Sequence, residues 1–213
     1  ALFNYLTLLG WNPGDEREKM DRQELVKAFS LDRVQQSAAQ VDLRKLLNLN
    51  GQYIAEMPFD TFLQTVQAGL ADVPWARADA AAILPRVARL MQSRTKLLTD
   101  VMQWETFFVE MPTFDEKAVH KFLCKPGMAP ALERLAAALA AVDFADEQAI
   151  ETVCLTVTEA CGIEAGRLNQ PIRVAVTGSS VGAGVYETMA VLGRDATCSR
   201  LRHAATIAVE DAG

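Results

Sequence analysis

Five arginines fall between Gly166 and Arg202, at positions 167, 173, 194, 200 and 202, against only two acids, Glu187 and Asp195. A guanidinium presents a planar fork of donors that matches phosphate and base-edge acceptors two at a time, so arginines at bends are suited to binding anions or bases. Glycine and proline punctuate this stretch more densely than any other. Pro171 suits the first turn of a helix, where its missing N–H costs nothing, and Gly178 can end that helix in a left-handed conformation. Ser179 to Gly184 read as a turn, Val185 to Leu192 as a second helix stopped by Gly193, and a third helix carries Arg200 and Arg202. The pattern predicts three short helices joined by glycine corners. Arg173, two residues after Pro171, is expected to leave the opening turn of the first, beside backbone N–H groups without helical partners. There it could meet an anion or a base edge.

A second basic island runs from Ala80 to Thr99, where Arg86, Arg89, Arg94 and Lys96 are the only charged residues. The chain as a whole carries a formal charge of −6. That balance argues against wholesale coating of nucleic acid and for contact through restricted faces, because phosphate binding is driven by Lys and Arg. Each island alone reads equally well as a solvated helix face.

No other residue set supplies chemistry. His120 and His203 are isolated, and no serine or cysteine has a basic partner at a recognisable spacing. The glycines from Gly178 to Gly184 lack the lysine and the strand of a phosphate-binding loop. Cys124, Cys154, Cys161 and Cys198 form no CxxC pair and have no histidine at metal spacing, which argues against zinc. Cys154 and Cys161 are seven apart on one helix face and read as core. No metal site and no cofactor site is expected in the chain itself.

The elements that must position the arginines read as helices throughout. With 213 residues, 50% hydrophobic and 23% charged, the chain is long enough for two or three compact units. Leu2 to Leu9 form an apolar helix capped by Gly10, and Asn12 to Asp15 a turn. Asp21 caps a helix from Gln23 to Phe29, Leu31 to Val34 form a short turn, and Asp42 caps the helix spaced by Leu43, Leu46, Leu47, Leu49 and Ile54. Asn50 and Gly51 read as helix termination. Asp60 caps a helix through Leu70, Asp72 to Trp75 break it, and Ala76 to Ile83 resume. Pro85 restarts the phase with Val87, Leu90 and Met91 on an apolar stripe, leaving Arg86 and Arg89 outside. Gln92 to Thr95 close that helix and Thr95 caps the next, Leu97 to Phe108, so Arg94 sits at a corner between helices. Trp104, Phe107 and Phe108 read as core. Met111 to Thr113 mark a boundary, Asp115 begins a helix ended by Lys125 to Gly127, and Pro130 to Val142 and Glu147 to Ala160 are strong helix formers. The expected class is all-α. No apolar run approaches the roughly 18 residues needed to cross a bilayer, so no membrane contact is expected.

Several segments resemble a known family. Gln170 to Gly178 (QPIRVAVTG), a glycine-containing turn, an aliphatic helix ending Leu192-Gly193-Arg194 and an arginine pair are similar to the C-terminal end of bacterial-type glutamyl-tRNA synthetases. Near the other end, Ala1 to Asp15 (ALFNYLTLLGWNPGD) and Asp42 to Ile54 (DLRKLLNLNGQYI) resemble segments just beyond that family's lysine-serine loop. Both ends match in order, so the resemblance covers essentially the whole chain. Asn48 stands where relatives usually have tryptophan and Gln52 where histidine is common, while Asn50, Gly51 and Tyr53 match. The family's histidine-glycine motif and lysine-serine loop, which handle ATP, are missing.

The resemblance implies an all-α helical cage of two consecutive anticodon-binding subdomains, residues 61–110 and 111–213, behind a stem-contact remnant at residues 1–60. It implies a longer parent that attaches glutamate to tRNA with ATP and Mg2+, and this chain, opening at Ala1 without methionine, is expected to be an inactive part of it. The implied partners are a glutamate-accepting tRNA and an N-terminal catalytic domain of the same protein, in a cytoplasmic monomer. Arg173 matches the family's anticodon-reading position. Arg94 falls at the corner where an arginine reads the last anticodon base in members restricted to the glutamate tRNA. Gly182 stands where relatives use a threonine hydroxyl, leaving backbone groups for that contact. Arg86, Arg167 and Arg200, from the two islands, complete the RNA-binding candidates. Two alternatives stay open: a helical protein-interaction scaffold that binds no RNA, and a relaxed version serving glutamate and glutamine tRNAs alike.

Overall fold

The computed structural model describes residues 1–35, 40–76 and 82–210. Among these the regular structure is all helical, apart from one isolated antiparallel bridge between Trp11 and Val34. The contacts divide the chain into two interleaved units, Ala1–Leu70 with Met91–Val101, and Ala71–Leu90 with Met102–Gly213.

The first unit is built from α1 (Leu2–Gly10), α2 (Arg22–Ala28), α3 (Leu43–Ala55) and α4 (Phe59–Leu70). Asp21 starts α2 with a complete capping box, its carboxylate accepting from the Gln23 and Glu24 amides while Glu24 returns to the Asp21 amide at 2.8 Å. Asp42 caps α3 with its carboxylate alone, accepting from the amides of Arg44 and Lys45. Trp11, Met20 and Leu25 form a small apolar cluster. Beside it Asn4 Oδ1 accepts from the Met20 amide at 2.9 Å, and the Tyr53 hydroxyl lies 3.0 Å from the same oxygen. On α4 the spacing of Phe62, Val66 and Leu70 puts three buried side chains on one stripe.

Three local expectations are corrected here. Asn50 and Gly51 do not end a helix, because α3 continues to Ala55. Asn50 Nδ2 donates to the Lys96 carbonyl at 2.5 Å, and a Cβ on Gly51 would lie 3.4 Å from Lys96 Cγ, so both residues serve a close approach of the 95–96 backbone. Asp60 lies inside the first turn of α4 rather than at its cap. Thr95 caps nothing downstream: its hydroxyl donates back to Met91 O at 2.8 Å. Asp100, in the first turn of the following 3-10 helix Leu98–Phe107, reaches back instead, its Oδ2 accepting from the amides of Lys96 at 2.9 Å and Leu97 at 2.8 Å. Most of the helix expected from Ala76 to Ile83 lies outside the described residues.

The second unit holds the larger core. α5 (Leu84–Met91) crosses into the first unit at its last residue and buries Leu84, Val87 and Ala88. α6 (Glu116–Ala118) runs directly into a π turn, Val119–Leu123, and is followed by α7 (Met128–Leu139), α8 (Glu147–Ala160), α9 (Asn169–Thr177), α10 (Val185–Leu192) and α11 (Arg194–Glu210). α11 has 17 residues, so the last helix of the three is long rather than short. It lies most closely along α7, where Leu201, Ala204 and Ala205 meet a partner carrying Ala131, Leu132, Leu135 and Ala136; small side chains on both helices let the axes approach. Trp104 and Phe107 are buried and Phe108 stacks on Trp75 at 5.1 Å, as expected of core aromatics. Cys154 and Cys198 are buried free thiols; burial pushes the Cys154 thiol up to about 12.

Candidate RNA interface

The corner after α9 is built by backbone necessity. Gly178 sits at φ 75, the left-handed region, and a Cβ there would overlap the Thr113 carbonyl, so only glycine fits on both counts. The Asp115 amide donates to Gly178 O at 2.9 Å, joining residues 113–115 to this corner. Thr177 completes the turn, its hydroxyl donating to Arg173 O at 2.8 Å and lying 3.2 Å from the Ser179 amide.

α9 begins at Asn169, two residues before Pro171, so Arg173 is in its second turn and not the opening one. Its side chain is half-buried and reaches across the following turn, Nη1 donating to the Ala183 carbonyl. That bond ties residues 179–184 to the guanidinium. Gly182 is exposed beside it, with a Cβ position 3.6 Å from Arg173 Nη1, and Val181 stands at the apex 82% exposed. Val181 is the residue here that sequence reasoning missed, since a lone valine in a glycine turn carries no pattern. The amino end of α10 is covered by its own Glu187, whose carboxylate occupies the space over Gly184. A phosphate has no vacant helix terminus there.

The other arginines have diverse placements. Arg94 is exposed on the last residue of the 3-10 turn Gln92–Arg94, in the first unit, matching the corner expected for it. Arg86 is exposed but donates Nη2 to Ala190 O at 2.5 Å, satisfying a carbonyl in the last turn of α10. Arg167 is at the surface with Glu164, Nε to Oε2 2.6 Å. Arg200 is a correction: it is 1% exposed, not at a surface. Its three nitrogens donate to Val176 O at 2.6 Å, Val109 O at 2.5 Å and Glu110 O at 3.2 Å, which fastens the 109–110 backbone to the end of α9. Burial lowers its pKa to about 10, still far above neutrality, so a charged guanidinium is held by three carbonyls. Its position in the helical period, one before Leu201, gave no hint of this.

Among the described residues no group of three or more His, Cys, Asp or Glu could hold a metal ion. No helix among them is long and apolar enough to cross a membrane.

An all-helical unit with an arginine-pinned turn at one end describes a class that comparison with known proteins identifies. Residues 60–205 match the family model described as "Anticodon binding domain", and the chain belongs to that family. Within it, the chain is similar to glutamate–tRNA ligases: 34% identical to that of Moorella thermoacetica over 96% of this chain and 43% of the relative, and 38% identical to that of Syntrophotalea carbinolica over 96% and 43%. The chain spans less than half the length of the curated relatives it matches. Among solved structures it resembles a glutamate tRNA ligase from Elizabethkingia meningosepticum in complex with its amino acid, with a TM-score of 0.78 and 27% identity over 96% of this chain and 40% of that one.

Proposed function

We propose that this chain is the C-terminal, anticodon-recognising part of a glutamyl-tRNA synthetase, holding the anticodon loop of a glutamate-accepting tRNA while a catalytic domain elsewhere in the parent charges the acceptor end. The observation that carries the reading is the family match over residues 60–205, with Arg173 and its pinned turn inside it. RNA readers meet unpaired loop bases by stacking and by hydrogen bonding to exposed edges, while backbone contacts set position. Arg173 would contribute its fork, and the exposed turn at Val181 and Gly182 an apolar contact and backbone groups. Arg94 would read the last anticodon base, which favours restriction to the glutamate tRNA over the relaxed alternative. Arg86 and Arg167 would contact the backbone. Arg200 drops out of the proposed contacts because its donors are engaged inside the fold.

The parent would attach glutamate to tRNA using ATP and Mg2+, in the cytoplasm and as a monomer. The turn from Gly178 to Gly184 carries no lysine, and Glu187 covers the adjacent helix start, so this corner is not a phosphate-binding loop of the kind ATP needs. ATP and Mg2+ belong to the remainder of the parent.

The test is a titration of the chain with an in vitro transcript of glutamate tRNA, competed by glutamine tRNA. Arg173→Ala should weaken binding roughly 5- to 150-fold, taking a bidentate base contact as about 1–3 kcal/mol. Arg173→Lys, which keeps charge but loses the fork, should recover only part of it. Unchanged binding in both variants removes Arg173 from the contact. A helical scaffold that binds no RNA would show no affinity that falls with salt.

A further inference from the structure

A third basic run, in neither arginine island, lies on α6, the π turn and its exit. Lys117, His120, Lys121 and Lys125 are all exposed, and no acid occurs from Lys117 to Leu132. Of the two acids just before them, Asp115 is committed to the cap, its Oδ1 accepting from the Ala118 amide at 3.0 Å. In a chain of net charge −6, three lysines in nine residues with no acid among them repel one another, and among the described residues the one fold contact of their charged groups is Lys121 Nζ over the Phe122 ring at 5.1 Å, which leaves the ammonium at the surface. Such a face is suited to a polyanion.

The run is fixed to the Arg173 corner rather than merely near it in sequence. Residues 113 to 115, which lead into α6, are joined to Gly178 by the Asp115 amide donating to its carbonyl, and the Thr113 carbonyl packs against the side of Gly178 where a Cβ would lie. Val119 and Leu123 of the π turn are buried in the same core as Ile172 and Val176 of α9. Phe114 lies 5.8 Å from His203 of α11, and both His203 and its neighbour Arg202 are exposed. Inserted π turns recur where a helix must present side chains for function. Lysine, a point charge on a flexible stem, suits phosphates that need charge without fixed geometry, whereas Arg173 supplies a fork for a base.

We infer that the surface of Lys117, Lys121 and Lys125 is a phosphate-gripping face, holding the sugar–phosphate backbone of the same RNA whose bases are met at Arg173. The inference rests on the RNA-binding reading above and assigns a different task to different residues. Phosphate contacts add affinity without sequence preference, so this face should set strength and salt dependence and leave discrimination alone.

The experiment compares the wild-type chain with K117Q/K121Q/K125Q, each titrated from low to moderate salt with a glutamate tRNA transcript and with the same transcript carrying a changed anticodon. The slope of log affinity against log salt should lose about 2 to 3 in magnitude in the triple variant, and the affinity ratio between the two transcripts should stay the same. Each single variant should lose about 0.7 to 0.9, which keeps the test usable if the triple variant melts early. A slope equal to wild type overturns the phosphate face, and so does a slope that falls only together with the ratio. If the wild-type chain binds neither transcript with any salt dependence, the RNA reading itself fails, a result distinct from a wild-type slope that the lysines do not change.

Discussion

Arginines that are indistinguishable in the sequence have opposite fates in the fold, and the difference is measurable. Arg200 holds three backbone carbonyls in the interior, so truncating it leaves acceptors from Val109, Glu110 and Val176 buried without a donor. Arg200→Ala is expected to cost about 3–5 kcal/mol in urea unfolding, because each orphaned buried acceptor costs about 1–3 kcal/mol and a cavity is added. Arg167→Ala, whose ion pair with Glu164 is fully at the surface, should shift stability by less than about 0.5 kcal/mol. Equal effects would refute the division. The charge pattern of the stretch from Gly166 to Arg202 was legible in the sequence. Which arginine turns inward was not, because that depends on carbonyls 24 and 91 residues away along the chain. The cysteines were legible in part: their spacing predicted Cys154 and Cys161 in the core, and Cys154 is buried while Cys161 is half-buried against that core. With its pKa raised to about 12, the Cys154 thiolate is scarce until pH approaches that value. At pH 8, thiol titration of the native chain should label the half-buried Cys124 and Cys161 first, with Cys154 and Cys198 reacting only after unfolding.

At the scale of elements, caps and glycines were legible where their reasons are local. The Asp21, Asp42 and Asp115 caps, the helix Val185–Leu192 and the Gly178 stop all follow from rules acting within four residues. Gly51 was misread because its reason is not local: it is small so that the backbone at residues 95 and 96 can approach α3. Substitution separates the two kinds of glycine. Gly178→Ala meets both a positive φ and the Thr113 carbonyl, and should cost more than about 2 kcal/mol while loosening the corner that carries Arg173. Gly51→Ala has helical φ and a contact at 3.4 Å, so improved helix propensity of up to about 1 kcal/mol should nearly offset any crowding. Melting temperatures of the two variants decide it, and a Gly51→Ala loss as large as that of Gly178→Ala would show the approach at residue 96 to be tighter than the geometry indicates.

At the scale of the whole chain, two compact units imply two stabilities. Helix α7 buries Leu132, Leu135, Ala136 and Leu139 at 0% exposure, and α11 closes over it with Leu201 and Ala204. In contrast α1 leaves Leu2 at 58%, Phe3 at 50% and Leu6 at 55% exposure, α2 leaves Val26 at 66%, and the apolar cluster between them is Trp11, Met20 and Leu25. At about 25 cal/mol per Å2 of apolar surface removed from water, the helices with fewer sealed side chains have less to lose on opening. The all-α class was legible from periodicity, with Pro171 and the family resemblance deciding for helix at Arg173 to Thr177, whereas this inequality was not, since α1 is the more apolar sequence and the less buried helix. Native-state hydrogen exchange should therefore find the slowest amides in α7 and α11 and opening of α1 and α2 at lower free energy, before global unfolding. If all four helices exchanged through one event of equal free energy, the chain would be a single cooperative body despite its division into two contact units.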